Sequence, residues 1–153
     1  MDVYRQACRI LDTVKKGHGT AKALCLQKDV QKKKQTYAVV CETWRHYELL
    51  EEVLNQAEFF KFYPKLQQQK TLVMCLTFDA VVGKGINTKQ HEAAVAVTDS
   101  MGFLQKAYLD CKGNFTIAPR EKDQSVDFPR YARSNTLLGM SEQDIWKGLR
   151  GRK

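Results

Sequence analysis

The 153-residue sequence is poor in proline, with three, and in glycine, with nine, and no apolar run approaches the roughly 18 to 20 residues of a bilayer-spanning helix. Few chain breakers in an otherwise mixed composition exclude fibrous and disordered classes, and the short apolar runs leave no candidate membrane span. Met1 to Ile10 carries Asp2, Arg5 and Arg9 among its apolar residues, unlike a secretory signal, so the expected location is inside the cell. The five cysteines, Cys8, Cys25, Cys41, Cys75 and Cys111, form no Cys-x-x-Cys pair, and their odd number argues against a disulfide framework. Most fall on apolar stripes, where a free thiol packs as a small hydrophobe. His18, His46 and His91 are scattered, with neither metal-ligand spacing nor a cysteine partner, and read as surface or helix-end residues. No Gly-x-Gly-x-x-Gly is found, and Gly83-Lys84-Gly85 lacks the Lys-Ser/Thr of a phosphate loop. It reads as a helix terminator. Free amides at a helix start near Asn87 or Thr88 are the phosphate-binding alternative. No Ser/His/Asp order and no constrained carboxylate pair supports catalysis.

What is present is 43% hydrophobic and 27% charged residues in 17.6 kDa, enough for one domain, or one domain and the opening of another. Lys plus Arg number 25 against 17 Asp plus Glu, a formal charge of +8. That balance favours an anionic partner such as nucleic acid, with a solvated basic surface as the plain alternative.

Helical spacing dominates the first 114 residues. Val3, Ala7, Ile10, Leu11 and Val14 predict a helix over about 2–16, and Thr20 is placed to cap a short second one with Ala21, Ala23, Leu24 and Leu26 as its apolar members. Tyr37, Val40, Cys41, Trp44 and Tyr47 share one predicted face. Leu49, Leu50, Val53, Leu54 and Ala57 share another, so 33–57 is expected to hold two helices broken near His46 to Glu48. Phe59, Phe60, Phe62 and Tyr63 form an aromatic cluster before Pro64. Gln67 to Val82 reads as an almost all-round apolar helix, hence the centre of a bundle. Ala94, Val97, Met101, Leu104, Tyr108 and Cys111 predict one long helix over 89–112, ended by Gly113-Asn114.

The texture then changes. Residues 115–128 read as a linker, and Phe128 to Leu137 as a short strand followed by a helix begun by Ser141, the opening of an incomplete α+β unit at 129–153. Cations cluster at Lys15 and Lys16 with Lys22, at Lys28 with Lys32, Lys33 and Lys34, and at Arg130 and Arg133 with the terminal basic residues. Lys32-Lys33-Lys34 falls at a predicted helix start, where positive charge opposes the macrodipole; contact with phosphates and a solvated turn explain it equally well.

Gly19-Thr20-Ala21-Lys22-Ala23-Leu24, Gln35-Thr36-Tyr37-Ala38-Val39-Val40-Cys41-Glu42-Thr43, Val82-Gly83-Lys84-Gly85 and Pro129-Arg130-Tyr131-Ala132-Arg133-Ser134-Asn135-Thr136-Leu137 together resemble, in register over nearly the whole chain, the leader of the Nop/Sun-type RNA 5-methylcytosine methyltransferases, its fifth branch above all. In the last segment Arg133, Asn135 and Thr136 match, and Ser134 stands where the family usually has Val. The resemblance implies a mainly α fold: an N-terminal helical bundle, then the first strand and helix of an RNA-recognition-like subdomain, with the Rossmann-type catalytic domain absent from these residues. It implies large-subunit rRNA as partner, within a pre-ribosomal particle, in the nucleus and nucleolus, with S-adenosylmethionine as cofactor of the full-length family and none bound by this region. The family's nucleophilic cysteines follow proline. None of the five here does, and no Asp-x-x-x-x-Pro-Gly loop occurs, so no catalytic or cofactor residue is carried over. Lys15, Lys16, Lys28, Lys32, Lys33, Lys34, Arg130 and Arg133 are the expected RNA contacts, on a monomer with no membrane association. The competing expectation is a protein-interaction module presenting Phe59, Phe60, Phe62 and Tyr63 as an exposed patch. A self-contained small enzyme finds no support in any motif.

Overall fold

The structure, a computed structural model, describes residues 1–86 and 91–117. The expected strand and helix of 129–153, most of the linker, Arg130, Arg133 and the helix start at Asn87 or Thr88 lie outside the described residues. Those described are helical, with no strand among them.

Helix α1 (Asp2–Lys15) opens with an acidic first turn and closes with Lys15 in its last, both favourable to the macrodipole. Thr20 caps α2 (Ala21–Cys25) as expected, its hydroxyl accepting the Ala23 N–H at 3.3 Å. The buried residue of α2 is Cys25, and Leu26, expected among the apolar members, is exposed. The break near His46 is present, between α3 (Lys33–Arg45) and α4 (Tyr47–Gln56). The face of α3 is rotated from the predicted one: Thr36, Val40 and Thr43 point inward, and Tyr37 and Trp44 outward. Small residues let α3 approach its neighbours closely, and the large rings are left to the rim.

The aromatic cluster folds into α5 (Phe59–Phe62), entered through Glu58 in the left-handed region at φ 51°. The expected patch does not form. Phe59 is buried, edge-to-face on Phe60 with ring centroids 5.5 Å apart and 5.0 Å from Tyr63, and only Phe62, 73% exposed, faces solvent. A 3-10 turn over Pro64–Gln69 then delays α6 (Lys70–Val81) to a later start than predicted. Every residue of α6 from Leu72 to Phe78 is buried, and it touches α1, α3, α4, both later helices and the 3-10 turn. It is the centre the apolar pattern called for. Its end uses Gly83, where an added Cβ would lie 2.8 Å from the Asp79 Cα, and Gly85, at φ +87°, whose N–H reaches the Asp79 carbonyl at 2.8 Å.

The long helix expected over 89–112 is two: α7 (Glu92–Asp99) and α8 (Met101–Lys112), divided at Ser100. Thr98, Asp99 and Ser100 are weak helix formers in succession, and the Thr98 hydroxyl donates back to the Ala94 carbonyl at 2.8 Å, which favours a bend. Ala94, Val97, Leu104, Tyr108 and Cys111 are all buried, so the stripe survives the break.

Two cores result, and α6 belongs to both. Ala7, Ile10, Leu11, Cys25, Val30 and Val40 close a small core under α1–α3 with Cys75. Leu72, Val73, Met74, Leu76 and Phe78 enter the larger one with α4, α5, α7 and α8. The seam between α1 and α6 is antiparallel and polar. Tyr4 donates to Asp79 Oδ2 at 2.7 Å, Thr71 donates to Asp12 Oδ1 at 2.7 Å, and the Cys8 thiol, one turn before Asp12, reaches its Oδ2 at 3.7 Å. Burial pushes the Cys8 and Cys75 thiols up to about 12 each, aided at Cys8 by the Asp12 carboxylate. Both are inert, protonated packing groups.

Candidate nucleic-acid interface

The surface of α1 opposite its core face carries Arg5, Arg9, Thr13 and Lys16 at steps of three and four, one continuous stripe. That stripe walls a cavity of about 630 Å³, which Cys8 and Asp12, Gln68 and Gln69 of the 3-10 turn, Leu72 and His91 complete. Its one carboxylate, Asp12, is drawn into the seam by Thr71. Arg9 also holds Asp29 at 2.7 Å across an exposed gap, a pair worth little in stability but one that brings the loop carrying Lys28 to the groove's edge. His91 accepts the Ala93 N–H at Nδ1, 3.2 Å, and so is a helix-end residue as expected. His46 is at a helix end too, yet it is buried, donating from Nδ1 to the Glu42 carbonyl at 2.8 Å with its ring 5.1 Å from Phe78.

The expected lysines do not form one patch. α1 and α3 run side by side in the same direction, since Arg9 meets Asp29 ahead of α3 while Lys15 meets Tyr47 beyond its end. Lys15 therefore lies about 20 Å, one helix length, from Lys32, Lys33 and Lys34. Its ammonium donates to the Tyr47 hydroxyl and is 4.4 Å from the Tyr47 ring centre, and that hydrogen bond raises its pKa, keeping it charged. Lys33 donates to the Leu26 carbonyl at 3.0 Å and so closes the C-terminus of α2. Lys16, Lys28, Lys32 and Lys34 are exposed. Arg5 and Arg9 were absent from the sequence-derived contacts, although their spacing to Lys16 on a helix already aligned them.

Trp44, 48% exposed, separates two smaller clefts. One, about 330 Å³, is lined by Leu11, Val14, Ala21, Val40, Cys41 and Arg45. The other, about 410 Å³, holds Lys15, Tyr47, Glu48, Phe115 and Ile117. Arg45 is fixed by both Glu42 oxygens at 3.0 Å.

The described residues form a helical bundle that carries a cation-lined groove and exposed aromatics beside lysines. Comparison gives it a family: residues 34–118 match the NOL1/NOP2/Sun domain family member 5, N-terminal domain, and the chain belongs to that family. The match begins at α3, so α1 and most of the basic loop precede it. The chain is 26% identical to the 25S rRNA (cytosine-C(5))-methyltransferase rcm1 of Schizosaccharomyces pombe over 97% of its length and 33% of that protein's. It is 30% identical to the 25S rRNA (cytosine-C(5))-methyltransferase NSUN5 of Arabidopsis thaliana, over 87% of this chain and 25% of the relative. Against a 28S rRNA (cytosine-C(5))-methyltransferase of Mus musculus it is 33% identical, over 95% of this chain and 32% of the relative. The chain thus spans a quarter to a third of the curated relatives it matches. No solved structure matches it.

Proposed function

We propose that these residues form the RNA-docking leader of an S-adenosylmethionine-dependent, large-subunit rRNA (cytosine-5) methyltransferase, with the catalytic centre carried by sequence other than this. The observation that carries the reading is the groove: Arg5, Arg9 and Lys16 present three cations along one wall, Arg9 paired with Asp29, and the one carboxylate of the lining, Asp12, is engaged by Thr71 and Cys8. Phosphates at such a site are held by charge and positioned without being read for sequence. The rRNA named for the relatives supplies the polymer. The working division is a bundle over 1–114, a linker over 115–128 and the first strand and helix of an RNA-recognition-like subdomain at 129–153, with Arg130 and Arg133 as phosphate contacts of their own. Lys28, Lys32 and Lys34 extend it at the other end of α3, Lys15 at the near end. The protein acts as a monomer within the pre-ribosomal particle, in the nucleolus.

The described residues do not suit S-adenosylmethionine. Their cavity of about 630 Å³ is walled by Arg5, Arg9 and Lys16, which repel the cofactor's sulfonium. No step of methyl transfer is assigned to them.

The test is RNA affinity as a function of salt. Reversing Arg5, Arg9 and Lys16 to Glu is expected to weaken binding steeply and to flatten the log–log salt slope by about one for each lost phosphate contact. Unchanged affinity and slope would remove the groove from the account. A protein-docking reading retains one observation in its favour: Phe62 and Phe103, each 73% exposed, line a shallow cleft between α5 and α8. Binding there would be almost indifferent to salt.

A further inference from the structure

The groove on α1 accounts for phosphates and leaves the Trp44 clefts unexplained. Trp44 stands half exposed at the mouth of an apolar space of about 330 Å³, walled by α1, α2 and α3, at the small end of the roughly 300–1,000 Å³ of ligand clefts. Leu11, Val14, Ala21 and Val40 offer no hydrogen bond to a ligand's edge, the Cys41 thiol is engaged by Tyr37, and Arg45 gives one guanidinium nitrogen to both Glu42 oxygens, so the lining is mostly apolar surface. Such a space suits a flat, apolar face. On the other side of the indole lies Tyr47, ring centres 6.0 Å apart, with the Lys15 ammonium over the Tyr47 ring. Lys16 follows it on α1, and Lys22 is exposed on α2. The carboxylates nearby are Glu42, held by Arg45, Glu48 in the second cleft, and Glu51 and Asp12, which also act on the Lys15 ammonium but are themselves engaged by Lys70 and Thr71.

Resting on the RNA reading above, we propose that this cleft receives one unpaired nucleobase of the bound RNA, stacked on Trp44, with Lys15 taking an adjoining phosphate. Charge selects this occupant. An apolar peptide side chain would fill the space but gain nothing from Lys15, whereas every nucleotide brings a π-face and an anion together. Because the lining reads a face and not an edge, capture is tolerant of sequence and requires a single-stranded segment, since a paired base cannot leave its stack without cost. The module therefore distinguishes looped from helical RNA, which the phosphate groove alone cannot do.

The experiment compares a short oligoadenylate with a blunt RNA duplex of equal length, using the 153-residue chain. Trp146→Phe makes Trp44 the sole tryptophan, so its fluorescence reports the site directly. Stacking is expected to quench Trp44 with the single strand and not with the duplex. Trp44→Ala should weaken single-strand binding about tenfold while leaving duplex affinity unchanged, and Trp44→Phe should restore most of it. Ala21→Leu, which fills the cleft from α2 and keeps the indole, should reproduce the loss if the alanine variant folds poorly. Equal loss on both RNAs, or no loss in either Trp44→Ala or Ala21→Leu, overturns the base cleft. Arg5→Glu/Arg9→Glu/Lys16→Glu separates the two claims: if it abolishes binding to both RNAs while Trp44→Ala changes nothing, the RNA reading stands and the cleft falls. If neither variant weakens binding, the RNA reading falls with it.

Discussion

Residues 1–46 and 47–117 are nearly opposite in character although one helix serves both. The first stretch carries ten Lys and Arg against four Asp and Glu, the second seven against eight. The first closes a small core of one alanine, one isoleucine, one leucine, two valines and Cys25 against Cys75; the second packs Leu49, Leu50, Val53, Leu54, Phe59, Leu66 and most of α6 into a much larger one. Three clefts walled by α1 or α3 among the described residues open on the first or at its border. The division teaches that stability and binding are assigned to different helices: the second region supplies apolar burial, and the first leaves cations and rings free because α6 supports it from below.

If α6 is the shared support, damage there should be felt by both regions at once. Leu76→Ala, at a fully buried position, is expected to cost about 2–5 kcal/mol and to lower one common unfolding transition, followed by circular dichroism in urea. Two separate transitions would show the regions to be independent. The α1–α6 seam should also fail in alkali. In the unfolded chain Cys8 and Cys75 lose their protons near the ordinary thiol value of 9, but in the fold they keep them to about 12. Above pH 9 the native state therefore binds more protons than the unfolded state, so stability falls as pH rises from about 9 to 12. Cys75→Ala should flatten that fall, and an unaltered profile would place the sensitivity elsewhere.

A smaller effect separates two adjacent lysines. Lys33→Met should lower thermal stability by about 0.5–1.5 kcal/mol through the lost bond to the Leu26 carbonyl, while Lys34→Met should leave stability unchanged and reduce RNA affinity. The reverse order would contradict the capping role. The least change is expected at Thr77, whose buried hydroxyl has no hydrogen-bond partner among the described residues: Thr77→Val should be neutral or stabilising by up to about 1 kcal/mol in the same melts.

Periodicity made most of the bundle legible. Stripes of three and four located α1, the break at His46, the buried α6 and its glycine terminator, because each is decided by local spacing and capping. The errors fall where a partner decides. Thr36 and Thr43 look polar in sequence but face inward, since close approach of α3 to its neighbours favours small side chains over Tyr37 and Trp44. The stripe across Ser100 is continuous, and apolar spacing alone does not register a bend that keeps the same face buried. Of the interface, the lysine clusters are visible as runs and Arg5, Arg9 and Lys16 as one helical spacing, but the groove that gives that spacing a meaning depends on Gln68, Gln69 and His91 across it. Tyr4 and Asp12 bond to Asp79 and Thr71 in an antiparallel register that no single helix reveals.

The most direct test of the division sets two charge reversals side by side in one RNA-binding titration at several salt concentrations. Arg5→Glu/Arg9→Glu/Lys16→Glu alters the first region, and Lys65→Glu/Lys84→Glu/Lys106→Glu makes the same change in net charge on the second. The account predicts that the first variant loses most of its affinity and salt dependence while the second binds nearly as the parent does. Equal losses would show a diffuse effect of net charge, and contradict a docking surface built on α1.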